Sequence, residues 1–183
     1  VGYIGSTAEI RNVGLTNVHV AGKQYVGGLV GYNNGGISNS YATGQVAGSS
    51  VYVGGLVGVH KGSISNSYAT ATVTGDDLGT GGLVGYSIGT ISRSYATGQV
   101  VGGGYYTGGL VAVNRGSISD SYATGAVSGG NHVVGGLVGI NGQMAGDSAS
   151  LSRSYATGNG SGAAPDVGGM AGFSIKFPNA KIS

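Results

Sequence analysis

The segment Gly27-Gly28-Leu29-Val30-Gly31 recurs at Gly54, Gly81, Gly108 and Gly135, each time 27 residues further along. A sixth copy, Gly168-Gly169-Met170-Ala171-Gly172, follows after 33. A second block, Ile37-Ser38-Asn39-Ser40-Tyr41-Ala42-Thr43-Gly44, recurs at Ile64, Ile91, Ile118 and Leu151. Such a period means a stacked repeat, because one unit cannot bury its own apolar face but a pile of units can. Helix formers are scarce, no apolar stripe runs at helical spacing, and Val, Ile, Thr and Tyr are punctuated by Gly and Asn. Each unit is therefore a set of short strands joined by turns. The expected fold is all-β: a parallel β-solenoid, expected to be a right-handed β-helix, with one coil per 27 residues and copies of a residue stacked at ~4.8 Å.

The whole chain, 1–183, reads as one solenoid domain. Residues 1–26 form a degenerate first coil and 27–175 the regular coils, with an insertion at 142–150 and a non-repeat tail at 176–183. Copy-to-copy variation assigns the faces. Asn39, Asn66, Arg93, Asp120 and Arg153 share one position, polar and varied, so it points outward. From there Ser40, Ala42, Gly44 and Val46 point inward and Tyr41, Thr43, Gln45 and Ala47 outward. Small inward residues imply a thin core whose walls approach closely, which accounts for the glycine. Leu29 and Val30 break the alternation, since both are apolar. Either a bend turns both inward, or the Leu column packs outside against a covering element.

Composition removes several classes of function. Glycine supplies 42 residues and proline 2, without the three-residue period of collagen. The chain is 40 % hydrophobic and only 8 % charged, the reverse of a disordered composition. A net charge of +2 with no basic stripe argues against nucleic acid as a partner. No apolar run reaches the roughly 18 residues of a membrane span, so membrane insertion is not expected. Without cysteine there is neither disulfide nor thiolate metal site.

The repeated blocks Tyr25-Val26-Gly27-Gly28-Leu29-Val30-Gly31-Tyr32-Asn33 and Gly36-Ile37 through Gly44 resemble the GLUG motif repeats of bacterial surface proteins. Such repeats occur in filamentous-haemagglutinin-like adhesins and in the non-catalytic regions of IgA-cleaving metalloproteases. The resemblance implies an extracellular or cell-surface repeat region and carries no protease activity, because His-Glu-x-x-His is absent.

Candidate chemistry is sparse. The acidic residues are Glu9, Asp76, Asp77, Asp120, Asp147 and Asp166, and no pattern pairs two of them across a cleft, so no enzyme activity is expected. Asp76-Asp77 reads as a polar turn rather than a Ca²⁺ site, and no cofactor or metal is called for. His60 and His132 are expected to be exposed turn residues. The Thr column (Thr43, Thr70, Thr97, Thr124, Thr157) reads as β-propensity, or as an ice-ordering face. The Tyr column (Tyr41, Tyr68, Tyr95, Tyr122, Tyr155) reads as a stacking ladder, or as a shelf for sugars. The variable turn before each Gly-Gly pair carries Tyr52, Asp76, Asp77, Tyr105, Tyr106 and His132, and is the expected ligand-contacting edge. The sequence thus points to a rigid structural and adhesive rod whose partner is a host or neighbouring-cell protein or glycan. The alternatives are a fibre subunit joined to copies of itself, end to end or laterally, or an ice- or carbohydrate-binding solenoid.

Overall fold

Each 27-residue unit makes one coil of a parallel β-solenoid of about five turns in the computed structural model. The structure describes residues 1–130, 132–142, 144, 146–163, 166–174 and 181–182. Parts of the insertion, of two variable turns and of the tail therefore lie outside the described residues. A typical coil runs Tyr52–Gly54, Val57–His60, Ser63–Ser65, Tyr68–Ala69 and Thr72–Gly75. Stacking generates four parallel sheets, called here the entry sheet (from Tyr52–Gly54), the Val sheet (Val57–His60), the Ile sheet (Ser63–Ser65) and the Tyr sheet (Tyr68–Gly75). Register is kept between the regular coils: Ile64 lies between Ile37 and Ile91, and Tyr68 between Tyr41 and Tyr95. The first coil joins through Tyr3–Ile4, Glu9–Arg11 and Gly14–Gly22, and Lys181–Ile182 of the tail pairs on Ser150–Leu151.

The core is one column per position. Leu56, Val57, Ile64 and Ala69 are buried and pack with their copies in the coils above and below. Leu and Val thus both face inward, and the bend that allows this lies at the Gly-Gly pair, where the N–H groups of Leu56 and Val57 both donate to the Leu83 carbonyl (2.9 and 3.0 Å). Gly55 shows why no side chain fits there. A Cβ would sit 2.2 Å from the Gly82 carbonyl oxygen and 2.9 Å from the Ala69 methyl across the core.

The inward parity of the Tyr sheet holds at Ser40, Ala42 and Val46, all buried. Gly44 departs from it. It is partly exposed with φ +119°, because the strand beside it shifts register between Leu15 and Val18 and forces an irregular backbone. Between the Ile and Tyr sheets the chain turns through a left-handed residue in every coil: Asn39 (φ 49°), Asn66 (48°), Arg93 (46°), Asp120 (51°) and Arg153 (44°). The turn removes one backbone pairing, and the next serine restores it. The Ser67 N–H donates to Ser94 Oγ of the next coil (3.2 Å), while Ser67 Oγ donates to the Ser65 carbonyl (2.8 Å). Copies of this bond pair run from Ser40 to Ser121, so a buried hydroxyl replaces the missing ladder partner.

Candidate ligand-contact surface

The Tyr column is a continuous stack. Successive ring centroids from Tyr41 to Tyr122 lie 4.8 Å apart and Tyr122–Tyr155 5.1 Å, all within 5° of parallel. The rings are half-buried except Tyr155, which is 51 % exposed. Because their faces are spent on each other, the inner rings Tyr68, Tyr95 and Tyr122 present mainly their edges to solvent. In the Thr column Thr43 is half-buried and accepts from the Asn17 N–H (3.1 Å), while Thr70, Thr97, Thr124 and Thr157 are exposed. The rank beside them is Thr72, Gln99, Ala126 and Asn159, chemically mixed.

The variable turns separate into two surfaces. Asp76, Asp77, Tyr105 and His132 lie exposed along one edge. Tyr105 stacks on His132 at 4.4 Å and 8°, and its N–H donates to the Asp77 carbonyl (3.0 Å). Tyr52 and Tyr106 turn away from that edge and cover the outer side of the Val sheet, packing with Tyr86 over Ala112, Val113 and Ile140. Val113 and Ile140 are thus covered by the chain's own tyrosines.

Tyr52 and Tyr86 lie 4.8 Å apart at 35°. Burial, and then the neighbouring Tyr86, push the Tyr52 phenol up to about 12, so it stays a neutral hydroxyl at physiological pH. Arg115 fixes the Tyr86 ring by donating Nη1–H to its hydroxyl (2.7 Å), and it pairs with Asp147 at 2.6 Å. Asp147 comes from the 142–150 insertion and is buried. The insertion thus supplies a buried carboxylate for Arg115.

Toward the first coil, Tyr25, Tyr32, Tyr52, Val59, Lys61 and Tyr86 line a cleft of about 190 Å³. Tyr32 stacks on Tyr3 at 5.6 Å and meets the edge of Tyr25 at 6.0 Å. Tyr25 has φ +51°, a conformation that costs a bulky residue energy. The exposed Lys61 ammonium sits 5.2 Å from the Tyr32 ring centroid, and its bond to the Tyr32 hydroxyl holds it above the ordinary lysine range. Sequence reasoning missed this cleft. Its only trace is tyrosine at two repeat positions: Tyr3, Tyr32 and Tyr86 where other copies carry Val59, Val113, Ile140 and Phe173, and Tyr25, Tyr52 and Tyr106 where other copies carry Gly79, Val133 and Asp166.

His60 is fully buried, contrary to its expected place on an exposed turn. It belongs to an inward polar column, Asn33, His60, Ser87, Asn114 and Asn141, all buried. Two of its asparagines pin the turn after the Val sheet. Asn33 Oδ1 accepts from the Gly35 N–H (3.0 Å) and its Nδ2 donates to the Gly35 carbonyl (3.2 Å); Asn114 does the same with Gly116. That locked amide directs its Nδ2–H at His60 Nδ1 (3.1 Å), while His60 Nε2–H donates to the Thr90 carbonyl (3.1 Å). The ring is therefore the neutral Nε2–H tautomer, and burial lowers its pKa to about 4. His132 is exposed, as expected.

Among the described residues no group of three or more His, Asp or Glu is placed to hold a metal ion, and no helix is long and apolar enough to cross a membrane. Asp120 instead pairs with Arg153 across one coil, Nε to Oδ1 at 2.6 Å, which holds its carboxyl below the usual range.

A family model described as the GLUG motif matches residues 22–47, 49–74, 77–101 and 103–128. Among solved structures, the chain is similar to a protein from Bacteroides ovatus provisionally named an immunoglobulin A1 protease, with a TM-score of 0.72 and 22 % identity. The match covers 92 % of this chain and 60 % of that one, and at this identity it establishes the shared fold. No curated protein matches the chain.

Proposed function

The chain belongs to the GLUG motif family, and from that premise we propose that it is a stiff, non-catalytic module of a secreted or cell-surface bacterial protein, making shallow contacts with host or neighbouring-cell protein or glycan. The observation that carries this reading is the coil-to-coil register that the regular coils keep in four parallel sheets. Such stacking pairs the flank strands with the coils above and below and fixes exposed side chains on a ~4.8 Å grid, so the flank serves as a rigid display surface. The Asp76, Asp77, Tyr105 and His132 edge supplies the exposed, chemically varied part of that surface. Carboxylate chemistry finds little support, since Asp120 and Asp147 are each committed to an arginine.

The test is retention of the labelled chain on arrays of immobilised proteins and glycans. Binding that falls at least tenfold in the Tyr105→Ala/His132→Ala double variant supports the reading. An array with no bound spot, or binding indifferent to the double variant, refutes the adhesive part of it.

A further inference from the structure

Tyr3, Tyr32, Val59 and Tyr86 occupy one position in consecutive coils. Three of these rungs carry an aromatic ring and the third carries valine, so the column has a gap with a ring on either side. At ~4.8 Å per coil, the backbones of Tyr32 and Tyr86 lie two coils, about 9.6 Å, apart, and the rung between them carries no ring of its own. The cleft of about 190 Å³ lies at this gap. Drug-sized ligands need ~300–1,000 Å³, so the gap suits a single ring of a longer chain.

Two properties define that ring. The lining is largely aromatic, from Tyr25, Tyr32, Tyr52 and Tyr86, with Val59 beside them, which favours a ring with an apolar face. The rim is polar and cationic: the neutral Tyr52 hydroxyl, and the exposed Lys61 ammonium, which forms no ion pair with a carboxylate among the described residues. Arg115 adds no free charge, being paired with Asp147, but it holds the Tyr86 wall in place. An extended peptide finds no purchase here, because the strands beneath have neighbours on both sides and offer no edge for strand addition. A pyranose meets each requirement: C–H groups on one face, hydroxyls at the edge and, in an acidic sugar, a carboxylate for Lys61.

We propose that the Val59 cleft is a subsite for one carboxylate-bearing pyranose of a glycan chain, its ring slotted between Tyr32 and Tyr86 and its carboxylate on Lys61. This rests on the contact-surface reading above and names its ligand class. Tyr25, held at positive φ, and Tyr52 close the sides of the slot.

The experiment is calorimetric titration of the full chain with oligogalacturonate, sialyllactose and neutral lactose. Both acidic sugars are expected to bind at least tenfold more tightly than lactose. Val59→Tyr supplies the missing rung and is expected to abolish binding while leaving the circular dichroism spectrum and melting temperature intact. Lys61→Met, at an exposed position, is expected to reduce acidic-sugar affinity about tenfold toward that of lactose, which also decides the matter if Val59→Tyr fails to fold. Equal affinity for acidic and neutral sugars, or acidic-sugar binding that survives either variant, overturns the subsite. Loss of array binding in Val59→Tyr for aromatic peptides rather than sugars likewise overturns it. Array binding that depends on Tyr105 and His132 while no sugar binds at the cleft rejects the subsite and leaves the broader reading standing.

Discussion

Protonation of His60 is the perturbation whose cost follows most directly from the geometry. The folded state keeps the ring neutral down to about pH 4, because burial penalises the cation and the locked Asn33 amide directs a donor at Nδ1. In the unfolded chain the same ring takes its proton near 6.5. Between those values the unfolded state holds more protons, so stability is full above pH 6.5 and declines as pH falls. The loss amounts to about 2 kcal/mol at pH 5 and levels off near 3 kcal/mol below pH 4. The assay is urea unfolding at pH 7 and pH 5 of the native chain and of His60→Asn, which substitutes the residue found at Asn33 and Asn114 in the same column. The variant is expected to be somewhat less stable at pH 7, having lost the Thr90 bond and ring volume, yet to lose about 2 kcal/mol less than the native chain between the two pH values. Carboxylates and the other histidines are common to both proteins and cancel in the comparison. Parallel losses in both proteins would falsify the assignment of a neutral buried imidazole.

Three further outcomes test the stacking itself by thermal or urea denaturation. Tyr95→Ala removes two ring contacts at 4.8 Å and should cost about 1–3 kcal/mol, whereas Tyr155→Ala removes one and should cost about half that; equal costs would argue against a load shared along the column. Gly82→Ala puts a methyl 2.0 Å from the Gly109 carbonyl oxygen and 2.9 Å from the Ala96 methyl, and should cost about 3 kcal/mol or more, while Gly2→Ala, with no atom within 4 Å, should stay within about 0.5 kcal/mol of the native chain. Ser94→Ala strands the buried Ser67 N–H, and a loss of about 1–3 kcal/mol is expected, with faster hydrogen exchange at that amide as the local readout.

The columns were legible in the sequence because a parallel stack maps repeat position onto space without ambiguity. Once Tyr41, Tyr68 and Tyr95 recur at one period, in-register pairing brings them together whatever else the chain does. The Thr and Ser columns and the outward Asn39 position follow from the same rule. So does the face of Ala42 and Val46, since strand parity is local. His60 was misread because its surroundings are supplied by other coils. Nothing near it in the chain announces that the position after Val59 turns inward, where Asn33 and the Thr90 carbonyl wait for it.

The same division runs through the candidate site. Sequence alone established the solenoid, its period and the identity of its ladders, since these depend only on repetition and on which residues tolerate a pleated strand. It left open whether Leu29 faces the core, because a bend at two glycines is a property of the closed coil. It grouped Tyr52 with Tyr105, although the first covers the Val sheet beside Tyr86 and the second lies on the exposed edge. The Val59 gap, the strained Tyr25 and the Arg115–Asp147 pair emerge only when coils are stacked, because each joins residues of different repeats. Repetition dictates what is alike from coil to coil, while the features that distinguish one part of the flank from another arise where unlike residues meet across the stack.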